Sequence, residues 1–558
     1  MRHFHSICGL LALLGMAACQ EPLLVDNENQ PERERALSRP ADVETFIANS
    51  YNTINNGTIG GVTSTGGAIN DVLQPGMLVM GLESYSGNAN FDMNVRGGIP
   101  RGIVDNSRGN SGENIHLRDW TVLHRAARSA AIGLSRINAG VSFGSPPRDQ
   151  RNKAFAWMVM GLGVGNLALV YDSVSQIRWD DPPAQTTFPL LHYSAAMTLA
   201  LDYLDSAIVT AQNAPAASDG FPLPATWLNG ATGGFAGGTV SRDDFVRFVR
   251  SYKARFRASV ARDPAARAAL DWTAVMDDAQ AGITTDYRIA TNPSAGWHVA
   301  WPVQHYLFQS WHQMWAYMVG MADSSGAYDA WLATPLASKA PFLVQTPDRR
   351  FPAGGDRATQ VANSPAVPPA GLYFRNRLSG DVVTANTLAN SYYDFYRFQA
   401  WRTGPPPSTG PYPVMTRAEM NSLTAEGAIR RGMWALAAQY IDSSRVRTSL
   451  PSVAGIADLT TTVPGGAACV PRVPAPPNFT STVCGNLMEA MKWEYRMETA
   501  FTGYGMWYFA GRGWGDLPEG TPVHHPVPYQ ELDVRRQPLY NLGGVGGVGG
   551  AARGTYGL

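Results

Sequence analysis

Lysine is almost missing from this chain: only Lys153, Lys253, Lys339 and Lys492 occur in 558 residues. Charge of either sign is thin, at 16% of the residues, where a soluble domain carries about 25%. The 44 basic and 44 acidic residues cancel, so no surplus positive charge is present to neutralise phosphates, which excludes nucleic acid as a partner. There is no HExxH, no GxSxG elbow, no Walker loop and no Cys/His catalytic context. Apolar residues reach 45%, enough to build a core, which excludes general disorder. What abounds is glycine, 57, and proline, 39, so long loops are expected. The length suits one large domain or two to four ordinary ones.

The N-terminus, MRHFHSICGLLALLGMAAC, has a positive Arg2 and an apolar run from Ile7 to Met16, shorter than the roughly 20 residues a stable membrane anchor needs. Small residues then precede Cys19. The pattern resembles the lipobox of bacterial lipoproteins, with Met16 where Leu is usual. On that resemblance residues 1–18 are a signal peptide and Cys19 is the lipidated residue. Acyl chains contributing about 0.8 kcal/mol per buried CH₂ would then hold the protein on a membrane. The alternative is an ordinary secretory signal with an incidental cysteine. Residues 19–40 are polar and Pro-bounded, as a tether should be. No later segment reads as apolar enough to span a bilayer. Once Cys8 leaves and Cys19 is lipidated, Cys469 and Cys484 remain to form a disulfide across a Pro-rich loop. Two thiolates with no neighbouring histidine do not complete a metal site.

Hydrophobic spacing predicts helices over 41–56, 113–139, 149–172, 190–213, 241–262, 271–283, 303–321, 386–402, 416–446 and 486–510. Alternating β-branched runs are scarce, so the fold class is mainly α, with tetratricopeptide-like helical hairpins and large irregular inserts near 57–112 and 284–385. Expected pairs are 113–139 with 149–172 and 190–213 with 241–262. One domain spans 41–540, and residues 541–558, LGGVGGVGGAARGTYGL preceded by Asn541 at their start, read as a flexible Gly-rich tail.

Four stretches in order resemble the SusD/RagB family of outer-membrane nutrient-binding lipoproteins. They are Cys19 with its tether and the helix ALSRPADVETFIANSYNTI; SYKARFRASVARDPAARAALDWTAVMDDAQAGI at 251–283; TRAEMNSLTAEGAIRRGMWALAAQYIDSSRVRTSLP at 416–451; and RGWGDLPEGTPVHHPVPYQEL at 512–532. In the third, Glu419, Glu426, Arg431, Gly432 and Arg445 stand at matching positions, with Asp442 where the family has Asn. The segment KWEYRMETAFTGYGMWYFAGRGWG matches only in part. The resemblance implies a cell-surface, lipid-anchored protein of the outer membrane with no catalytic activity and no cofactor. It would bind an oligosaccharide or a peptide and act as the lid of a TonB-dependent barrel of the SusC type. Read without the family, Gly432 is a turn between two amphipathic runs, and the charges around it are either a buried network or solvated faces.

The strongest chemical signal is aromatic. Residues 297–331 hold Trp297, Trp301, Tyr306, Phe308, Trp311, Trp315, Tyr317, Tyr328 and Trp331. Indoles stack on the apolar C–H faces of sugars while amides and carboxylates meet the hydroxyls. About two-thirds of these rings are expected in the core, leaving two or three as platforms. A second polar loop, 83–92, carries Tyr85 and Phe91 among Asn88 and Asn90. The expected ligand contacts are therefore Tyr85, Asn88, Asn90, Trp297, Trp301 and Trp311. Tyr392, Tyr393, Tyr396 and Trp401 read as a helix face. His298, His305 and His312, seven apart, would lie about 10 Å from one another on a helix, too far to share a metal. Gly511 to Gly515 reads as a helix-ending turn, not a phosphate loop. Adjacent carboxylates at Asp180–Asp181 and Asp243–Asp244 leave a surface glycoside hydrolase open as a rival reading. A helical-repeat assembly scaffold without small ligand is the other.

Overall fold

The computed structural model describes residues 37–60, 73–86, 93–110, 115–182, 185, 187–215, 221–299, 312–377 and 387–558. The signal segment, Cys19, most of the tether, Asn88, Asn90, Trp301 and Trp311 lie outside them. The chain is mainly α, and among the described residues the strands are two to six residues long and form two-stranded ribbons.

The N-terminal half is built around one helix. Helices α1 (Pro40–Ala48) and α2 (Ser50–Asn55) lead, after an insert, to α3 (Ile115–Asn138), α4 (Pro146–Val170), α5 (Tyr193–Gln212) and α6 (Arg242–Ser259). Pro40 and Pro146 stand at helix starts, where the missing N–H is no loss. Helix α4 is buried along most of its length because its small residues let neighbours close in. A Cβ on Gly163 would stand 2.9 Å from the Ala127 Cβ of α3, and one on Gly161 would stand 2.7 Å from Leu204 of α5. Each glycine costs a helix about 1 kcal/mol relative to alanine, and the close contact offsets it. Helix α4 is also long and apolar enough to cross a membrane, contrary to the expectation from the sequence, but it is packed inside the protein. Helix α5 lies mainly against α4 and touches α6 less, so the hairpins share members instead of forming separate pairs.

The late hairpin is present. Helices α7 (Trp272–Gln280), α8 (Arg417–Arg430), α9 (Trp434–Arg445) and α10 (Leu487–Thr499) pack together, and Gly432 makes the turn with φ +69°. Thr416 caps α8, its hydroxyl accepting the Glu419 N–H at 3.1 Å. The charges on this hairpin divide. Glu419, Glu426 and Arg445 are buried, whereas Arg431 is exposed. Glu419 holds Arg255 of α6, and Glu426 holds Arg267. Helix α11 (Met506–Trp514) follows a break at Phe501 to Gly505 and ends at Gly515 with φ +76°, as a helix-ending turn requires.

Three expectations are corrected. In the described part of 303–321 the chain forms a strand, His312–Gln313, and one helical turn, Ala316–Val319. Within 386–402 it forms the strand Tyr393–Phe395 and a short helix, Gln399–Thr403. Consecutive aromatic residues fit a buried strand as well as a helix, and pairing with Phe374–Asn376 decides it. The C-terminal segment is not loose: Leu542–Gly543 pairs with Ile103–Val104, and Tyr556 and Leu558 are buried. Five of its glycines occupy left-handed turn positions, among them Gly543 at φ +85° and Gly546 at φ +67°, so the repeat encodes tight turns held by backbone hydrogen bonds. The Cys469–Cys484 disulfide is formed, as expected.

Candidate ligand-binding site

Two segments far apart in sequence meet in one place. Tyr85–Ser86 pairs antiparallel with His312–Gln313, Tyr85 opposite Gln313 and Ser86 opposite His312. The Met314 N–H donates to the Tyr393 carbonyl at 2.9 Å, and Tyr393–Phe395 pairs in turn with Phe374–Asn376. The early and the mid-chain inserts thus share one edge.

The ground beneath that edge is polar and buried. The Gln313 side-chain oxygen accepts from Arg377 Nη1 at 3.1 Å and from the Ser391 N–H at 3.0 Å. Asp394 faces Arg375 and Arg377, each at 3.3 Å. Arg357 donates to Asn376 and covers the ring of half-buried Tyr392 at 4.4 Å. Guanidinium, amide and carboxylate groups together supply donors and acceptors of the kind that sugar hydroxyls or peptide groups demand. No signal in the sequence points to Arg377, Asp394 or Asn376, because only strand pairing brings them beside Gln313.

The expected contact residues fall in different settings. Tyr85 is 5% exposed: its ring stands edge-on to Trp315 at 5.1 Å, and a Cβ on Gly97 would come within 2.3 Å of it. So enclosed a ring offers no face to a ligand, and Tyr85 anchors the edge instead of lining it. Trp315 donates its indole N–H to the Ser84 carbonyl at 2.8 Å, which fixes the same junction. Trp315, Tyr317, Tyr328 and Trp331 are all buried, while Trp301, Tyr306, Phe308 and Trp311 lie outside the described residues.

Trp297 differs, being half-buried. It closes a turn with Asn292 through two backbone hydrogen bonds, at 2.9 and 3.1 Å. Helix α2 holds this turn by two asparagine amides: Asn52 donates to the Gly296 carbonyl at 3.0 Å and Asn55 to the His298 carbonyl at 3.1 Å. The indole lies 6.3 Å from the Tyr51 ring, tilted against it. Burial pushes the neighbouring His298 imidazole below its ordinary range, favouring the neutral form. Among the described residues no group of three or more His, Cys, Asp or Glu side chains is arranged to hold a metal.

No family model and no curated protein matches the chain. Solved structures that it is similar to include a SusD superfamily protein from Bacteroides vulgatus, at 12% identity over 89% of this chain and 90% of that one, TM-score 0.47. A SusD homolog from Parabacteroides distasonis shares 12% identity over 85% and 83%, TM-score 0.49. A laminarin-binding SusD-like protein shares 13% identity over 90% and 98%, TM-score 0.47.

Proposed function

We propose that the protein is a lipid-anchored binding subunit on the outer face of the outer membrane, which captures glycans or related nutrients and passes them to a TonB-dependent barrel of the SusC type as its lid. The observation that carries this reading is the pairing of Tyr85–Ser86 with His312–Gln313, which draws the two polar, aromatic inserts to one edge. The lipobox-like N-terminus and the SusD-like segments at 416–451 and 512–532 support it from the sequence. The absence of net charge suits neutral ligands. Tethering beside a pore raises the local ligand concentration without any new contact. The work is capture, not turnover.

The test is a glycan and peptide array on the full chain, followed by titration of whatever binds. Trp297→Ala is expected to weaken the best ligand about tenfold, and the triple change with Trp301→Ala and Trp311→Ala to abolish binding. Unchanged affinity in the triple variant would overturn the site. Release of reducing ends from a bound polysaccharide would favour the hydrolase.

A further inference from the structure

At the seam between the helical body and the C-terminal segment lies a half-enclosed cavity of about 410 Å³, within the range that holds small organic ligands. Arg262, just past the end of α6, and Arg512, on α11, both line it and are 4% and 2% exposed. Several buried arginines elsewhere in the molecule grip carboxylates: Arg255 holds Glu419, Arg267 holds Glu426, Arg350 holds Asp348 and Arg496 holds Asp516, whereas buried Arg101 donates to the carbonyls of Gly98 and Val79. Arg262 and Arg512 make no ion pair among the described residues. Arg262 donates to the carbonyls of Ala168, Leu169, Tyr171 and Val523. Arg512 donates to the carbonyls of Val523, at 2.7 Å, and Ser259, at 2.9 Å. The Nε of each has no hydrogen-bond partner. A guanidinium carries five N–H donors, so Arg512 keeps three unused.

Withdrawing a cation from water costs several kcal/mol unless an anion stands opposite, and carbonyl dipoles replace only part of the lost hydration. The rings of Tyr193 under Arg262, at 4.2 Å, and Phe509 under Arg512, at 4.7 Å, add some compensation but no charge. Desolvation accordingly pushes Arg262 down to about 10. Asp172 also acts on Arg262 through space, but it forms no ion pair with it; its Oδ2 accepts from the Tyr540 hydroxyl at 2.7 Å. Asp263 also lines the cavity, but it is exposed and caps the turn at Ala266. The remaining walls are largely apolar, with Pro264, Leu517 and Val523 on the body side, while Arg553 of the C-terminal segment stands exposed at the lip.

We propose that this cavity binds a small organic carboxylate, its anionic head against Arg512 with Arg262 behind, and its apolar body against Leu517 and Val523. Such a ligand supplies the missing counter-charge and bridges the body to the C-terminal segment. The site shares no residue with the Trp297 turn or the Tyr85–Gln313 edge, so glycan binding and carboxylate binding succeed or fail independently.

The probes are sodium butyrate, sodium acetate and inorganic phosphate, titrated into the full chain at constant ionic strength with chloride as the reference. Butyrate is expected to bind saturably and to raise the thermal midpoint beyond chloride, with acetate weaker because it fills less of the apolar wall. Arg512→Met keeps the length of the side chain and removes the charge. It is expected to weaken butyrate at least about tenfold. If that variant does not fold, Ala551→Leu carries the test, because it fills the cavity from the C-terminal segment without changing any charge, and it should weaken butyrate to a similar degree. Butyrate no better than chloride would overturn the proposal, as would wild-type butyrate affinity in Ala551→Leu. Phosphate binding more tightly than butyrate would overturn the assignment to a carboxylate.

Discussion

Glu426 ties three separate elements together through one carboxylate. It is 1% exposed, on α8, facing α11 and the short helix Pro264–Ala268 that carries Arg267. Its Oε1 accepts from Arg267 Nε at 2.7 Å and from Arg430 at 2.8 and 3.0 Å; its Oε2 accepts from Arg267 Nη2 at 2.6 Å and from the Trp514 indole at 3.1 Å. Glu426→Ala removes every one of these acceptors. It leaves Arg267, itself 1% exposed, with the Ala258 carbonyl as its remaining hydrogen-bond acceptor. Breaking one side of a buried pair costs about 3–5 kcal/mol. With an unfolding entropy of roughly 2 cal/mol/K per residue, that lowers the midpoint of a chain this long by about 3–4.5 °C. The double change Arg267→Met with Glu426→Leu takes both charges away and is expected to lose far less. Thermal and urea unfolding followed by circular dichroism reads all three proteins. Burial alone would raise the Glu426 carboxyl, but Arg267 and Arg430 outweigh it and hold it below the ordinary 4.5. Its contribution is therefore complete above pH 4.5 and is lost as pH falls through the depressed value, so the gap between wild type and Glu426→Ala should close in acid. A gap under about 1 kcal/mol at neutral pH, or one unaltered by acid, would refute the reasoning.

Glu83 should behave in the opposite sense. It is 2% exposed, and burial pushes its carboxyl up to about 8 although the Phe501 N–H donates to it. A raised folded-state value means stability that is full below pH 4.5 and lost as pH rises toward 8. Glu83→Gln should therefore match wild type in acid and exceed it at alkaline pH. The gain should approach about 1.4 kcal/mol for each pH unit by which the buried carboxyl stands above its ordinary value, read by urea unfolding at several pH values. Tyr556 pins the C-terminal segment: it is 2% exposed, and its hydroxyl donates to Glu489 at 2.6 Å and accepts from Arg496 at 3.1 Å. Tyr556→Ala is expected to cost about 3 kcal/mol and to open residues 541–558 to protease, detectable by mass spectrometry.

Much of the helical frame is legible in the sequence because its signals are local. The spacing over 190–213 and 241–262 and the small residues of 149–172 reappear as α5, α6 and α4 within a few residues. The hairpin at 416–446 breaks at Gly432, the turn its sequence marks. The mid-chain segments mislead because their period is ambiguous. Tyr392, Tyr393 and Tyr396 suit one helical face, yet Tyr393 pairs across a strand with Asn376, a partner no local pattern reveals. The Gly-rich end misleads for a related reason: composition counts glycines, whereas their φ angles decide whether they loosen a chain or turn it.

The candidate site divides along the same line. The residue types are visible in order, rings from 297 onward and amides around 88. Which rings are core is not, because burial depends on neighbours more than two hundred residues away: Trp315 is closed by Tyr85, and the Trp297 turn is held by Asn52 and Asn55. By itself the sequence determined the helical class, the disulfide pair and the neutral balance of charge, each a property of residue type and short-range spacing. Only the tertiary structure decided that Glu419 and Glu426 are buried partners while Arg431 is not, and that Arg262 and Arg512 are buried without an ion pair among the described residues. Charge is written residue by residue, but whether it is compensated is a matter of distance and dielectric, and those exist only once the chain has folded.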